Sequence, residues 1–218
     1  MPRVHSTYSL LILLVLTAST LLFGGCAKSN PVGANLSQPG IVPLSVGNRW
    51  TYKDFSYDTT GVVTDSSGET HGILADTVLF GKRMFSYNGM FCANADSGLV
   101  EYGGLSFISE PPPPHDTTVT FSLLYRYPVS AGDQYSTIGW QIHVGTTDTS
   151  ITVPAGTFHC IRYEFYQSSS TSKSYEYYDN YLCPQVGEVL DVSYFADSYP
   201  KSPNRVSSVM ELQSYSLK

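Results

Sequence analysis

Charge is scarce in this 218-residue chain, and basic charge is scarcer still. Charged residues make up 14% of it, with 12 Lys+Arg against 18 Asp+Glu and a formal net charge of -6. No basic cluster occurs, which argues against a nucleic-acid partner, because neutralising phosphates takes grouped Lys and Arg. The common catalytic signatures are missing too: there is no G-x-S-x-G elbow, H-E-x-x-H helix, P-loop or G-x-G-x-x-G turn. C-x-x-C spacing is absent, which removes the usual redox and zinc-ribbon patterns. Apolar residues nowhere recur at amphipathic-helix spacing, and only one apolar run is long. What is present is 42% hydrophobic residues, enough to bury a core. Seventeen Tyr and 18 Gly, with many Ser and Thr, favour strands and turns.

The one long apolar run lies at the amino end. Arg3 precedes 14 residues, Leu10 to Phe23, that are shorter than a membrane-spanning helix and read as an export signal. The run closes on Phe23-Gly24-Gly25-Cys26, which resembles the lipobox of bacterial lipoproteins. That resemblance implies cleavage before Cys26 and acylation of its thiol and new amino group. Removing residues 1–25 takes away Arg3 and no acid. Several acyl chains hold a protein firmly at a bilayer, since each buried methylene adds about 0.8 kcal/mol. Ala27 follows the Cys where Asp would mark inner-membrane retention, so the resemblance points to the outer membrane.

Residues 26–40 continue as a tether rich in Pro, Gly and polar residues, and a single β-domain is expected over 41–218. Period-two alternation runs through RWTYKDFSY at Arg49, TVTFSLLYRY at Thr118, FHCIRYEFYQ at Phe158 and YEYYDNYL at Tyr175. Turn clusters separate these stretches. The expected fold is all-β: an antiparallel, curved sheet of about ten to fourteen strands, barrel-like or sandwich. Two halves can be aligned. Pro43-Leu44-Ser45-Val46-Gly47-Asn48-Arg49-Trp50 matches Pro128-Val129-Ser130-Ala131-Gly132-Asp133-Gln134-Tyr135, and weaker echoes pair Gly81 with Gly156 and Gly98 with Gly187. Two diverged β-repeats would explain this; turns that look alike because they need Gly would explain it as well.

The mature domain carries Cys92, Cys160 and Cys183. Folding FHCIRYEFYQ onto YEYYDNYLC as a hairpin centred between Thr171 and Ser172 sets Ile161 opposite Leu182 and Phe165 opposite Tyr178. Cys160 then faces Cys183, and opposed residues about 4.5 Å apart at Cα are within disulfide range. A Cys160–Cys183 bond is therefore expected in an oxidising compartment, with Cys92 left over.

No residue stands out as catalytic, and no metal set or cofactor motif is found. His71, His115 and His143 are isolated; His159 adjoins Cys160, and adjacent strand residues face opposite ways. The acids Glu164, Glu176 and Asp179 could serve a carbohydrate hydrolase, but Arg162 and Lys173 nearby favour surface ion pairs. Aromatic residues crowd one hairpin. Alternation puts Tyr163, Phe165 and Tyr178 on one face and Tyr166, Tyr177 and Tyr181 on the other. The first set would pack the core, and the second could be a platform for a ligand or could simply cover a sheet face.

Three segments resemble a group of poorly characterised bacterial lipoproteins. They are Pro43 to Tyr52 (PLSVGNRWTY), Val153 to Glu164 (VPAGTFHCIRYE), and Tyr177-Tyr178 with Pro184 to Val189 (PQVGEV). The resemblance implies an exported, lipid-anchored β-domain and carries no established activity. The functional expectation is a non-enzymatic envelope protein that reaches the membrane through its lipid and binds a hydrophobic or aromatic-stacking ligand or an envelope partner. An envelope hydrolase with paired carboxylates and a purely structural surface lipoprotein are the alternatives. Cells fed labelled palmitate should incorporate it into this protein, and Cys26→Ser should abolish the incorporation; label retained in that variant would overturn the lipobox assignment.

Overall fold

The computed structural model describes residues 40–102, 121–137, 139–168, 174–195 and 205–218, leaving the side chains of 168 and 174–176 undescribed. Cys26 and the segment read as an export signal lie outside these residues; the β-domain belongs to the unit Ala34–Lys218. Among the described residues there are twelve strands and no helix: β1 (Arg49–Tyr57), β2 (Val63–Leu79), β3 (Lys82–Tyr87), β4 (Met90–Ala95), β5 (Gly98–Tyr102), β6 (Phe121–Arg126), β7 (Gln134–Thr137), β8 (Trp140–Val153), β9 (Gly156–Ser168), β10 (Ser174–Cys183), β11 (Gly187–Tyr194) and β12 (Val206–Ser216).

All twelve form one antiparallel sheet in the order β6-β5-β4-β3-β2-β1-β12-β11-β10-β9-β8-β7. Each half of the chain is a six-stranded meander, and the pairing of β1 with β12 joins the halves, with Trp50 opposite Tyr215. The sheet curls until its two ends nearly meet, so the fold is the barrel-like form of the all-β expectation. Alternate residues point inward, among them Trp50 and Tyr52 on β1, Ile142 and Val144 on β8, and Tyr163 and Phe165 on β9, and they merge into one core. Period-two alternation produces this burial because successive strand side chains point to opposite faces.

The aligned segments occupy equivalent places in the two meanders. The Gly47 amide donates to the Ile73 carbonyl, and the Ile73 amide returns a bond to Asn48; Gly132, Val144 and Asp133 repeat the arrangement. Asn48 N–H donates to Ser45, and Asp133 N–H donates to Ser130, closing the same turn. Both glycines have positive φ, 94° and 88°, which a Cβ would disfavour. Gly81 sits in the β2–β3 turn and Gly156 follows the β8–β9 turn as the first residue of β9, and Gly98 and Gly187 open β5 and β11.

The two sheet ends, β6 and β7, are joined by side chains instead of a backbone ladder. The buried Tyr135 hydroxyl accepts from Arg126 N–H (3.1 Å) and lies 3.3 Å from the Leu124 carbonyl, to which it donates. Tyr163 donates to the Arg126 carbonyl at 2.7 Å from β9. An unpaired buried amide costs about 1–3 kcal/mol. Tyr135→Phe should therefore lower stability by about 1–3 kcal/mol in urea denaturation and speed amide exchange in β6. Unchanged exchange at Arg126 would show that the seam does not depend on this hydroxyl.

Candidate functional site

The curled sheet leaves a cavity of about 350 Å³ open to solvent at one end. Its walls come from both halves of the chain. Tyr87, Leu99 and Tyr125 are supplied by the first meander, and Trp140, Phe165 and Tyr178 by the second. Val42, from the segment before β1, and Leu99 are buried lining residues, whereas Asn88 and Met90 are exposed at the rim. The rings pack as a box. Phe165 and Tyr178 stack at 4.2 Å, and Trp140 meets Tyr178 edge-on at 5.2 Å and Phe165 at 6.2 Å. Tyr125 closes on Phe165 at 6.0 Å.

Against these rings stands a buried polar cluster. Asn180, on β10, donates through Nδ2 to the carboxyls of both Glu188 and Asp191 on β11, while its Oδ1 accepts from the Tyr125 hydroxyl at 3.2 Å. Ser193 donates to Asp191 at 3.2 Å. Glu188 lines the cavity; Asp191 does not. Burial, reinforced by the charge of Asp191 and opposed by the Asn180 bond, pushes the Glu188 carboxyl up to about 8. Burial likewise pushes Asp191 up to about 6 and raises Glu101, a second acid of the cavity wall.

A β-bulge creates this cluster. Tyr181 pairs with Leu190 and Leu182 pairs with Glu188, so Val189 is the extra residue. Strict alternation would put Glu188 and Asp191 on opposite faces; the bulge turns both inward, a re-aiming that bulges commonly perform.

His71, on β2, completes the wall. Its Nε2 lies 3.0 Å from Glu69 Oε1 and 3.2 Å from Asn88 Nδ2, and its ring is 4.8 Å from Tyr52. The ring is 7% exposed, and its Nδ1 has no hydrogen-bond partner among the described residues.

The residues singled out from sequence fall elsewhere. From Tyr178 to Leu182 the register of β9 and β10 is the expected one, with Ile161 opposite Leu182, Phe165 opposite Tyr178, and Glu164 opposite Asp179, whereas the bulge at Tyr177 moves the pairing of residues 174–176 by one. Cys160 and Cys183 are brought together but are thiols here, joined by a hydrogen bond and not by an S–S bond. Their mutual hydrogen bond raises the Cys160 thiol and lowers that of Cys183, whose Sγ also donates to the Pro184 carbonyl. Cys92 is buried, and that burial pushes its thiol up to about 12.

Tyr166, Tyr177 and Tyr181 do not line the cavity. Tyr166 packs on His143 at 4.5 Å and bonds to Glu164. Tyr177 lies at a bulge in β10 and meets Trp140 at 5.3 Å; Tyr181 packs against the core. The rings that face open space, Phe165 and Tyr178, belong to the set that alternation assigned to the core. Glu164 and Asp179 share Arg162, with Asp179 Oδ2 at 2.6 Å from Arg162 Nη2 and accepting also from Tyr194 at 2.8 Å. The ion-pair expectation holds for them, although Asp179 is wholly buried and not on the surface. The Glu176 side chain and His115 lie outside the described residues.

No protein-family model matches the chain, and no curated protein does. Two solved structures are similar to it. One is titled "a putative exported protein with YmcC-like fold", from Bacteroides fragilis; it is 15% identical with a TM-score of 0.37 over 82% of this chain and 100% of that one. The other is "a putative lipoprotein" from Parabacteroides distasonis, 16% identical with a TM-score of 0.39 over 82% of this chain and 99% of that one.

The buried acids make stability depend on pH. A carboxyl whose folded value lies above its unfolded one keeps a proton that the unfolded chain has already released, so stability falls as pH rises between the two values. For Asp191 that window runs from 3.8 to about 6, and for Glu188 from 4.5 to about 8. Urea midpoints should therefore decline from pH 5 to pH 8, and Glu188→Gln should flatten the part above pH 6. A midpoint that rises across this range would contradict the buried, protonated acid.

Proposed function

We propose that the protein is an exported envelope lipoprotein, acylated at Cys26 and held at the outer membrane, whose barrel takes up a small hydrophobic ligand that stacks on aromatic side chains. The Phe23–Cys26 segment, Ala27 and the polar tether support the anchoring. The observation that carries the binding reading is the cavity itself. About 350 Å³ lies within the range of small-molecule sites, and its wall is a box of packed rings with a few polar groups.

Binding is favoured over hydrolysis by the disposition of the acids. Glycoside hydrolysis takes two carboxyls flanking one bond. Of the bridged pair only Glu188 reaches the cavity, with the Asn180 amide between it and Asp191, and the other acid of the wall, Glu101, comes from β5 in the opposite half of the chain with no bond to Glu188 among the described residues.

Native mass spectrometry tests this reading. Residues 27–218, which contain every described residue, would be exported to a periplasm and purified without detergent. A reproducible mass excess that vanishes on denaturation is expected, and a bare polypeptide mass would move the weight to partner docking or a structural role. We propose further that export oxidises the adjacent Cys160 and Cys183 thiols to a disulfide, so the denatured, unreduced chain should be about 2 Da light. A full-mass chain with three titratable thiols would exclude that bond.

A further inference from the structure

The box of rings has an electrical character that selects among hydrophobic ligands. Among the described residues lining the cavity there is no Lys or Arg, whereas two acids, Glu188 and Glu101, are part of its wall. Aromatic rings attract a cation through their faces, which carry the negative end of the ring quadrupole. Trp140, Phe165 and Tyr178 all line this cavity, together with Tyr87 and Tyr125. A fatty-acid carboxylate would meet no Lys or Arg among the described residues of the wall.

The remaining polar group points the same way. His71 Nε2 lies between Glu69 Oε1 and Asn88 Nδ2, and the tautomer that donates from Nε2 to Glu69 leaves Nδ1 as a lone pair. That nitrogen is buried without a partner in the cavity wall. An N–H donor on the ligand would satisfy it, and an unsatisfied buried acceptor otherwise costs about 1–3 kcal/mol.

We infer that the ligand is a lipophilic amine, whose protonated amino group seats against the Glu188 carboxylate beside the rings of Trp140, Phe165 and Tyr178 and whose alkyl or aryl body fills the apolar part of the cavity. This rests on the binding reading above and names its ligand class. Around Glu188 stand Asn180 and Tyr178 on β10, Asp191 on β11, Tyr52 on β1, Glu69 on β2, Tyr87 on β3 and Tyr125 on β6, and Glu101 on β5 and His71 on β2 share its cavity wall. Three of these are acids, and His71 is the sole base among them. In the empty cavity the neighbouring acids and burial keep Glu188 protonated. An entering ammonium replaces that proton, which passes to the buffer.

The test is calorimetry of residues 27–218 with decylamine, 1-decanol and decanoate at pH 7. Decylamine should bind at least ~10-fold tighter than 1-decanol, and decanoate weakest of the three. Repeating the decylamine titration in two buffers of different ionisation enthalpy should reveal release of close to one proton per amine bound, a signal that needs no variant. Glu188→Gln, checked for folding by circular dichroism, should bring the decylamine to 1-decanol affinity ratio to about one. Equal binding of amine and alcohol, tighter binding of decanoate, or no proton release would overturn the amine assignment while leaving a hydrophobic binder in place. Failure of all three probes to bind would overturn both.

Discussion

The barrel depends on three alternate side chains at the start of β1. Asn48, Trp50 and Tyr52 all point inward, all are buried to within about 1% exposure, and each spends its polar tip on a distant stretch of chain. Asn48 donates to the Pro43 carbonyl at 2.7 Å and accepts from the Lys218 amide at 2.8 Å. The Trp50 indole donates to the Val186 carbonyl at 2.6 Å, and the Tyr52 hydroxyl to the Glu188 carbonyl at 3.0 Å. Large aromatic groups can be buried this deeply because their donors find acceptors. The consequence is topological. β12 lies between β1 and β11, so these bonds reach past the neighbouring strand and hold the closing pair of the two meanders from inside.

Two of these residues also set the chemistry of the cavity. Tyr52 fixes the backbone of Glu188, and Trp50 fixes the turn that leads into it. Gly187 packs against the Trp50 ring, where a Cβ would lie 3.6 Å from Nε1. With its backbone held at both ends, the bulge at Val189 has one place to go, and it turns Glu188 inward beside Asp191. Burying two acids is unfavourable unless they lose their charge or find partners. Asn180 bonds to both, and protonation removes much of the remaining cost. The site is thus a local departure from good strand design, stabilised by the well-satisfied polar groups next to it, as functional sites commonly are.

Much of this was legible in the sequence. Alternation located β1, β6, β9 and β10, the Pro-x-Ser-x-Gly turns marked the start of each meander, and a hairpin centred between Thr171 and Ser172 set the register that brings Cys160 and Cys183 together. The cavity was not legible, for a specific reason. Alternation assigns faces by counting in twos, and the bulges at Tyr177 and Val189 each break the count by one. Glu188 and Asp191, three apart, therefore read as opposite-facing residues. Phe165 and Tyr178 were correctly placed inside, but period two does not distinguish a ring packed in the core from a ring lining a space within it. Trp140 gave no signal either, since its partners come from β9 and β10.

The equivalence of the two meanders explains where the asymmetry enters. Gly98 opens β5, and Gly187 opens β11, both with positive φ. The residues that follow them, Leu99 and Glu188, hold equivalent positions in the two halves, and both line the cavity. Two identical halves would set like against like there: two leucines, giving a dry apolar core, or two glutamates, giving repulsion without a neutral partner. One of each gives a space with an apolar wall and a single addressable acid. The strands diverge as well. β9 and β10 run 13 and 10 residues, against 6 and 6 for their counterparts β3 and β4, whereas β2, at 17, exceeds its counterpart β8, at 14. The longer β9–β10 hairpin of the second half brings Phe165 and Tyr178 to the wall, while the first half supplies His71 and Tyr87 to the same cavity. The cavity is therefore a product of difference between the halves, on a frame that their likeness closes.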